Sequence, residues 1–259
     1  MSTTLTARPL QPGLAFGVDP CRHERYSLRQ ARYAEIGLDL AKRGRAALQA
    51  GRRLQVLDIG AGQGLTLRHL EVHDGAAGIE LSGADLERYD NLYRAEEWKN
   101  FWVADLMAGL PPVPSEAFDI VICEQVFEHL PQLELAMSTI NRVLKPGGVA
   151  ICGVPIFPYG VDTLRKMIVP VLDRLNPPPQ PRGHVQSFSK HSFIKLFRQH
   201  TGLDVEECRG FRIVSGGPLL RPLENMKWWY QLNRRIGQVV PGLCTEIQVV
   251  ATKPLAKAA

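Results

Sequence analysis

The segment VLDIGAGQG at residues 56–64 constrains the fold more than any other part of the chain. A short apolar run ends in an acid, three glycines follow at alternate positions, and a stretch of helical composition comes next. Glycine lets the backbone turn sharply and lie against a ligand, because no Cβ stands in the way. The first N–H groups of a helix are free to contact that ligand. The segment therefore predicts a buried strand, a ligand-binding loop and a helix; a tight structural turn is the alternative.

Strand and helix patterns alternate along the rest of the chain. Short apolar runs predict strands at residues 53–60, 76–81, 100–106, 117–124, 148–155, about 204–214 and 246–253. Apolar residues at helical spacing and helix-favouring composition predict helices at residues 27–50, 64–73, 84–97, 131–144 and 189–201. Such alternation is typical of parallel βαβ units in a doubly wound sheet. Residues 157–181 and 215–243 are irregular interruptions of that pattern.

Composition limits the class of protein. Apolar residues make up 45% of the chain and charged residues 22%, which is typical of a soluble globular domain. No stretch approaches the ~20 apolar residues that cross a bilayer, and the first residues lack the pattern of a secretory signal. The five cysteines lie far apart without a CxxC pair, which argues against a disulfide framework and a zinc site. We therefore expect a cytoplasmic protein.

The net charge of +5 is unevenly distributed. Residues 131–259 contain seventeen Lys and Arg against eight Asp and Glu, whereas residues 56–130 contain four against fourteen. A basic C-terminal half suits an anionic small molecule or a membrane surface as partner, and scattered solvated cations are the equally weighted alternative. The cations form no dense run and no RNA-binding signature, so nucleic acid is not the expected partner.

The spacing of the glycines separates this loop from a dinucleotide site. The pyrophosphate-binding fingerprint is G-x-G-x-x-G, whereas here the third glycine comes one residue earlier and Asp58 precedes the first. An acid beside the loop suits a cationic ligand better than pyrophosphate. A nicotinamide-dependent oxidoreductase is therefore the disfavoured alternative.

Asp58, Gly60, Gly62 and Gly64 match the motif [DE]-x-G-x-G-x-G, so the chain resembles the class I S-adenosylmethionine-dependent methyltransferases. The segments GIELS, VADLM, FDIVICEQVFEHL and LKPGG agree with that family in order and spacing over residues 54–154. The resemblance implies an α/β fold with a Rossmann-like seven-stranded sheet, the last strand antiparallel, helices on both faces and an acceptor-binding lid. It also implies S-adenosylmethionine as cofactor, S-adenosylhomocysteine as product and no metal.

We expect a single methyltransferase domain, residues 1–259, made of four parts. These are an N-terminal arm and helix (1–53), a cofactor-binding core (54–154), acceptor-side insertions that include a strand (155–243), and the last strand with a tail (244–259).

The resemblance also assigns cofactor-binding residues. Besides the acid and glycines of the loop, it places Glu80 at the end of the second strand, where the family holds both ribose hydroxyls with a carboxylate. Asp105 follows the third strand and would contact the adenine amino group, with Leu106 beside the ring. Glu124 would lie at the methionine end of the pocket. Taken singly, each acid is equally compatible with an ordinary surface carboxylate.

The acceptor is less constrained. The sequence EHL after the fourth strand resembles small-molecule methyltransferases acting on quinones, polyketides, sugars and lipids, and the absence of an NPPY-type sequence disfavours methylation of nucleic acid or glutamine. A hydroxyl acceptor must lose a proton, and His129 and His184 are the candidate bases. The alternative for His129 is a packed histidine at the start of a helix, and the alternative for His184 is a loop residue that fixes the lid. We expect methyl transfer to a small or lipid-like acceptor, oxygen being favoured over carbon and nitrogen; a cofactor-binding module without catalysis is the rival.

The two irregular segments should build the acceptor site, because loops at the carboxyl edge of a parallel sheet form the binding crevice. Residues 219–236 combine Trp228, Trp229 and Tyr230 with Lys227, Arg234 and Arg235. Such a segment can rest on a membrane surface or close over an apolar substrate, and packing against the core is the alternative. We therefore expect peripheral membrane contact through residues 219–236.

Overall fold

The computed structural model describes residues 28–157, 185–213, 223 and 226–255. The helices are α1 (Ala31–Gln49), α2 (Leu65–Leu70), α3 (Glu134–Val143), α4 (Lys190–Thr201) and α5 (Lys227–Val239). The strands are β1 (Leu54–Ile59), β2 (Ile79–Asp85), β3 (Phe101–Val103), β4 (Phe118–Glu124), β5 (Leu144–Pro155), β6 (Asp204–Phe211) and β7 (Glu246–Thr252).

The seven strands form one sheet in the order β3-β2-β1-β4-β5-β7-β6. Strands β1 to β5 are parallel, and β7 runs antiparallel to both of its neighbours. The expected seven-stranded sheet with an antiparallel last strand is therefore confirmed. Because β1, β2 and β4 are parallel, their carboxyl ends meet at one edge, and Asp58 pairs in register with Gly83 of β2 and Ile122 of β4.

Helices cover both faces of the sheet. On one face, α1 and α2 bury Ile36, Leu40 and Leu70 against β1 and β2. On the other, α3 and α4 bury Met137 and Phe193 against β4 and β5. Strands buried on both faces must be largely apolar, which is why residues 120–123 of β4 and 149–154 of β5 are continuous apolar runs in the sequence. None of the helices in the described ranges is long and apolar enough to cross a membrane.

Several expected elements differ from the structure. No helix spans residues 84–97: β2 continues to Asp85, and only a one-turn 3₁₀ segment forms at Ala95–Glu97. The left-handed backbone of Arg94 (φ 46°) interrupts helical geometry there, held by ion pairs to Glu71 (3.0 Å) and Glu97 (2.9 Å).

Three further differences concern the start of one helix, the end of one strand and one helix that was not expected. The third helix starts at Glu134 and not at proline 131. Within residues 215–243, treated as irregular, α5 forms as a regular helix because its inner face packs on Phe211 of β6 and Leu28. The strand expected at about 204–214 ends at Phe211.

Candidate active site

The glycine loop adopts the conformation that its sequence requires. Gly60, Gly62 and Gly64 have φ angles of 74°, 52° and 83°, a region that residues with a Cβ rarely adopt. A Cβ on Gly60 would lie 2.4 Å from Cγ2 of Val126, so the loop can approach the segment that follows β4 only without a side chain. The loop therefore keeps open the space above the carboxyl ends of β1 and β4.

That space is a cavity of about 340 Å³ at the carboxyl edge of the sheet. It brings together five of the residues that the sequence predicted for the site: Gly60, Gly62, Asp105, Leu106 and His129. The remaining lining comes from residues that the sequence reasoning had not selected: Ile59, Ala84, Asp85, Leu86, Tyr89, Ala104, Leu110, Gln125, Val126 and Leu130.

Asp85, and not Glu80, is the acid at the end of the second strand. The Asp85 carboxylate lines the cavity and accepts hydrogen bonds from the backbone N–H of Gly62 (2.8 Å) and of Leu86 (2.7 Å). Glu80 is the second residue of β2, at the opposite end of the strand. The expectation that Glu80 lies at the carboxyl end is therefore wrong, because the small residues Ser82, Gly83 and Ala84 continue the strand beyond the apolar run GIEL.

The carboxylate of Glu80 has partners of its own at the amino edge of the sheet. It contacts Lys99 and Arg53 and accepts a hydrogen bond from Gln55. The hydrogen bonds from Lys99 and Gln55 hold the pKa of Glu80 below its usual range.

Asp58 and Glu124 lie beneath the cavity and do not line it. Asp58 is buried, and burial raises its pKa to about 7, with the charges of Asp85 and Glu124 adding to the rise. Burial likewise raises the pKa of Glu124 to about 7. Glu124 is 3.1 Å from the Nε of Arg32 and accepts a hydrogen bond from Gln248 (3.0 Å), so the structure gives it a role in holding elements together rather than the expected place at the pocket wall.

Arg32 joins helix α1 to strands β4 and β7 through ion pairs. Its Nη1 is 2.9 Å from Glu246 of β7, whose other carboxylate oxygen is 2.6 Å from Arg212. All the carboxylates of this cluster are buried, so each needs a cation or a donor nearby. The sequence offered no signal for the cluster, because its members are far apart along the chain.

The two candidate bases have different outcomes. The side chain of His129 lines the cavity and is about half exposed (47%), as a group that meets a substrate must be. Beneath it, Glu128 is buried, with Oε1 3.9 Å from Nε2 of His129, and burial raises the pKa of Glu128 to about 7. His184 lies outside the described residues, although its neighbours Val185 and Gln186 donate backbone hydrogen bonds to the Glu128 carbonyl (2.8 and 3.0 Å).

Gln125 is a candidate site residue that the sequence reasoning missed. It directly follows β4 and lines the cavity, and its φ of 58° is a strained value for a residue with a side chain. Its side-chain Nε2 is buried and finds no hydrogen-bond partner among the described residues. Strain and an unsatisfied donor are both typical of binding sites, so this amide is available to a ligand. No sequence signal marks the strained φ, which is why the residue was overlooked.

A sheet of this order, with a glycine loop and two acids around a cavity at the carboxyl edge, defines a Rossmann-like methyltransferase fold. Residues 21–207 match the family described as "methyltransferase domain", and the chain belongs to that family. The expected resemblance to class I S-adenosylmethionine-dependent methyltransferases is thereby confirmed at the level of the family. Among the described residues, no group of three or more His, Cys, Asp or Glu is arranged to hold a metal ion.

Relatives and solved structures agree with the family. The chain is 27% identical to a demethylmenaquinone methyltransferase of Staphylococcus carnosus, over 52% of this chain and 59% of that protein. It is 26% identical to a ubiquinone biosynthesis O-methyltransferase of Chromobacterium violaceum, over 64% and 70%. A proposed sarcosine dimethylglycine methyltransferase of Galdieria sulphuraria has a similar fold, with a TM-score of 0.52 at 18% identity over 84% and 86% of the two chains. The chain spans about half the length of the first curated relatives it matches.

Proposed function

We propose that the chain binds S-adenosylmethionine in this cavity and transfers its methyl group to a small or lipid-like acceptor, with oxygen favoured as the methylated atom. The observation that carries the proposal is one cavity joining the glycine loop and the carboxylates of Asp85 and Asp105 to His129. The residues fit such a cofactor: the loop leaves room that a Cβ would fill, and the carboxylates supply acceptors for hydroxyl and amino groups.

The chain's residues would divide the binding between them. Each carboxylate oxygen of Asp85 already accepts a hydrogen bond from one backbone N–H and keeps a lone pair free. The two oxygens could therefore accept hydrogen bonds from the two adjacent hydroxyls of a ribose. Asp105 caps the 3₁₀ turn that follows β3, accepting from the N–H of Met107 (2.8 Å), and this contact fixes its carboxylate at the cavity. Leu106, buried in that turn, supplies an apolar wall.

The sulfonium of the cofactor supplies an activated methyl group, whose displacement leaves a neutral thioether. The protein's tasks are then to align the acceptor, exclude water and receive a proton where the acceptor is a hydroxyl. His129 is the described histidine at the cavity and would take that proton at a ring nitrogen. Relatives named for quinone substrates support a small or lipid-like acceptor, and a relative named as an O-methyltransferase supports oxygen.

The two acids of β2 provide a matched test of the cofactor site. Asp85→Asn should weaken S-adenosylhomocysteine binding by about tenfold or more, because hydrogen bonds to a charged group contribute roughly 1.5–3 kcal/mol. Glu80→Gln, the same change at the other end of the strand, should leave the affinity unchanged. Calorimetric titration measures both, with NAD as the competing ligand. Unchanged binding in Asp85→Asn, or preferential binding of NAD, would refute the site.

The acceptor is then found by measuring S-adenosylhomocysteine release with quinols, phenolic polyketides, sugars and lipid-linked glycans. Release with a hydroxyl compound supports the proposal. Release with amines alone would show that oxygen is the wrong atom.

A further inference from the structure

Helix α5 has one face packed against the protein. Tyr230, Asn233 and Gly237 recur at helical spacing and are buried. Gly237 lies so close to β6 that a Cβ would be 1.9 Å from the carbonyl oxygen of Gly210. The helix is therefore fixed on the edge of the sheet, with its opposite face turned away from the protein.

The opposite face carries large apolar side chains in solvent. Trp228, Leu232, Arg235 and Val239 recur at i, i+4, i+7 and i+11, and the three apolar members are 55%, 40% and 79% exposed. Leu243 is exposed in the turn that follows. A surface helix of a globular protein normally places polar residues outward, so this stripe indicates a second surface that covers it.

The charge of the helix indicates what that surface is. The sequence of α5, KWWYQLNRRIGQV, contains no acid. Arg234 is directed toward the protein, where it pairs with Glu35 of α1 and lies over the ring of Tyr230. Lys227 and Arg235 have no ion-pair partner among the described residues and remain for an external anion.

Basic side chains continue beyond the helix. Gly242, in the 3₁₀ turn after α5, lines a groove together with Lys190, Lys195 and Arg198 of α4. A second copy of this chain seated on α5 would bring like charges together, because a twofold contact places the same patch on both sides. An anionic lipid surface offers both apolar depth and opposite charge.

We propose that α5 docks the protein on an anionic lipid surface. Trp228, Leu232 and Val239 enter the boundary between headgroups and acyl chains, while Lys227 and Arg235 contact lipid phosphates. Lysine and arginine stems are long enough to reach the headgroups while the helix lies flat. The contact is peripheral and lies outside the cofactor cavity.

Co-sedimentation of the full chain with vesicles tests the proposal. Binding to vesicles containing 30% phosphatidylglycerol should exceed binding to pure phosphatidylcholine at least tenfold, and it should weaken in 0.5 M NaCl as the charges are screened. Lys227→Gln and Arg235→Gln should each weaken binding about fivefold. Trp228→Phe should keep binding but lose part of the blue shift of tryptophan emission that the wild type shows on vesicles.

A control on another helix separates docking from general hydrophobicity. Leu232→Ser should weaken vesicle binding several-fold, whereas Leu38→Ser on α1, where the leucine is equally exposed (42% against 40%), should not. The calorimetric affinity for S-adenosylhomocysteine should be unchanged in both variants, so a failure of the lipid-docking proposal can be distinguished from a failure of the proposed cofactor site. Equal loss in both variants, or no preference for anionic vesicles, would overturn the proposal. So would a concentration-dependent dimer abolished by Leu232→Ser, which would identify a second copy as the occupant.

Discussion

Replacing Gly60 by alanine should destabilise the protein through two effects that can be measured apart. The first is the left-handed backbone: alanine at φ 74° costs about 1–2 kcal/mol, offset by about 0.4–1 kcal/mol from the stiffer unfolded chain. The second is steric, because the new Cβ would lie 2.4 Å from Cγ2 of Val126, and such overpacking costs about 1–3 kcal/mol. We expect a total loss of about 2–4 kcal/mol.

Gly62→Ala isolates the backbone effect. Its φ is 52°, but the nearest atom to a new Cβ is the carbonyl oxygen of Gly60 at 3.9 Å, which is ordinary contact. We therefore expect a loss of about 1 kcal/mol or less for this variant. Urea unfolding followed by circular dichroism gives both values by linear extrapolation.

A double-mutant cycle with Val126→Ala isolates the steric effect. Truncating Val126 removes the atom that the new Cβ would strike, so the double variant should recover about 1–3 kcal/mol relative to the sum of the single changes. If Val126→Ala costs the same in both backgrounds, the loop does not pack on Val126 as described, and the reasoning is refuted.

Three further predictions concern the buried charges and the base. Glu128→Gln should stabilise the protein by about 3 kcal/mol at pH 8, because burial raises the folded pKa of Glu128 to about 7. The contribution of Glu128 to the stability of the wild type is thus fully present below pH 4.5 and is lost as pH rises through about 7. The free energies of unfolding of the two proteins, measured in urea, should therefore converge at pH 4. A difference independent of pH would contradict this. Arg32→Met should destabilise by about 3–5 kcal/mol in the same assay, since Glu124 and Glu246 lose a buried cation; a cost under 1 kcal/mol would show that the cluster is solvated. His129→Ala should slow methyl transfer to a hydroxyl acceptor by roughly 10²–10⁴ with calorimetric affinity for S-adenosylhomocysteine unchanged, and normal turnover would leave alignment alone as the source of catalysis.

The sequence was sufficient for the parts of the site that depend on local backbone chemistry. The positions of the strands along the chain followed from apolar runs, the arrangement of the sheet followed from the family resemblance, and the loop followed from three glycines at alternate positions, which adopt positive φ at little cost. Asp105 and Leu106, which the resemblance assigned to the site, line the cavity because they follow β3 closely, at the edge where parallel strands end. Local sequence patterns therefore place a site residue when its position depends only on where one strand ends.

The sequence was insufficient to place residues whose position depends on the pairing register between strands. Two acids in GIELSGAD, Glu80 and Asp85, lie five residues apart, and the end of the strand is determined by pairing with β1 rather than by hydrophobicity. The strand was expected to end at residue 81 and a helix to begin at residue 84. Gly83 and Ala84 nevertheless belong to the strand, where Gly83 gives room to the ring of Phe101, which a Cβ would approach to 2.8 Å. Helix α5 was missed for a related reason: its outward apolar residues conceal the periodicity of a normal surface helix.

The strained residue Gln125 and the buried acid Glu124 are consequences of one arrangement at the end of β4. Gly153 of β5 has no side chain, and a Cβ there would lie 2.2 Å from the Glu124 carboxylate, so glycine leaves the space that this acid occupies. The carbonyl of Gly153 accepts the N–H of Gln125 (2.9 Å), while Arg32 and Gln248 hold Glu124 from α1 and β7. Three elements thus fix two consecutive residues, which is the condition under which a φ of 58° persists. Because the cluster that anchors α1 also fixes the amide at the cavity wall, loss of the Arg32 contact should disturb ligand binding as well as stability.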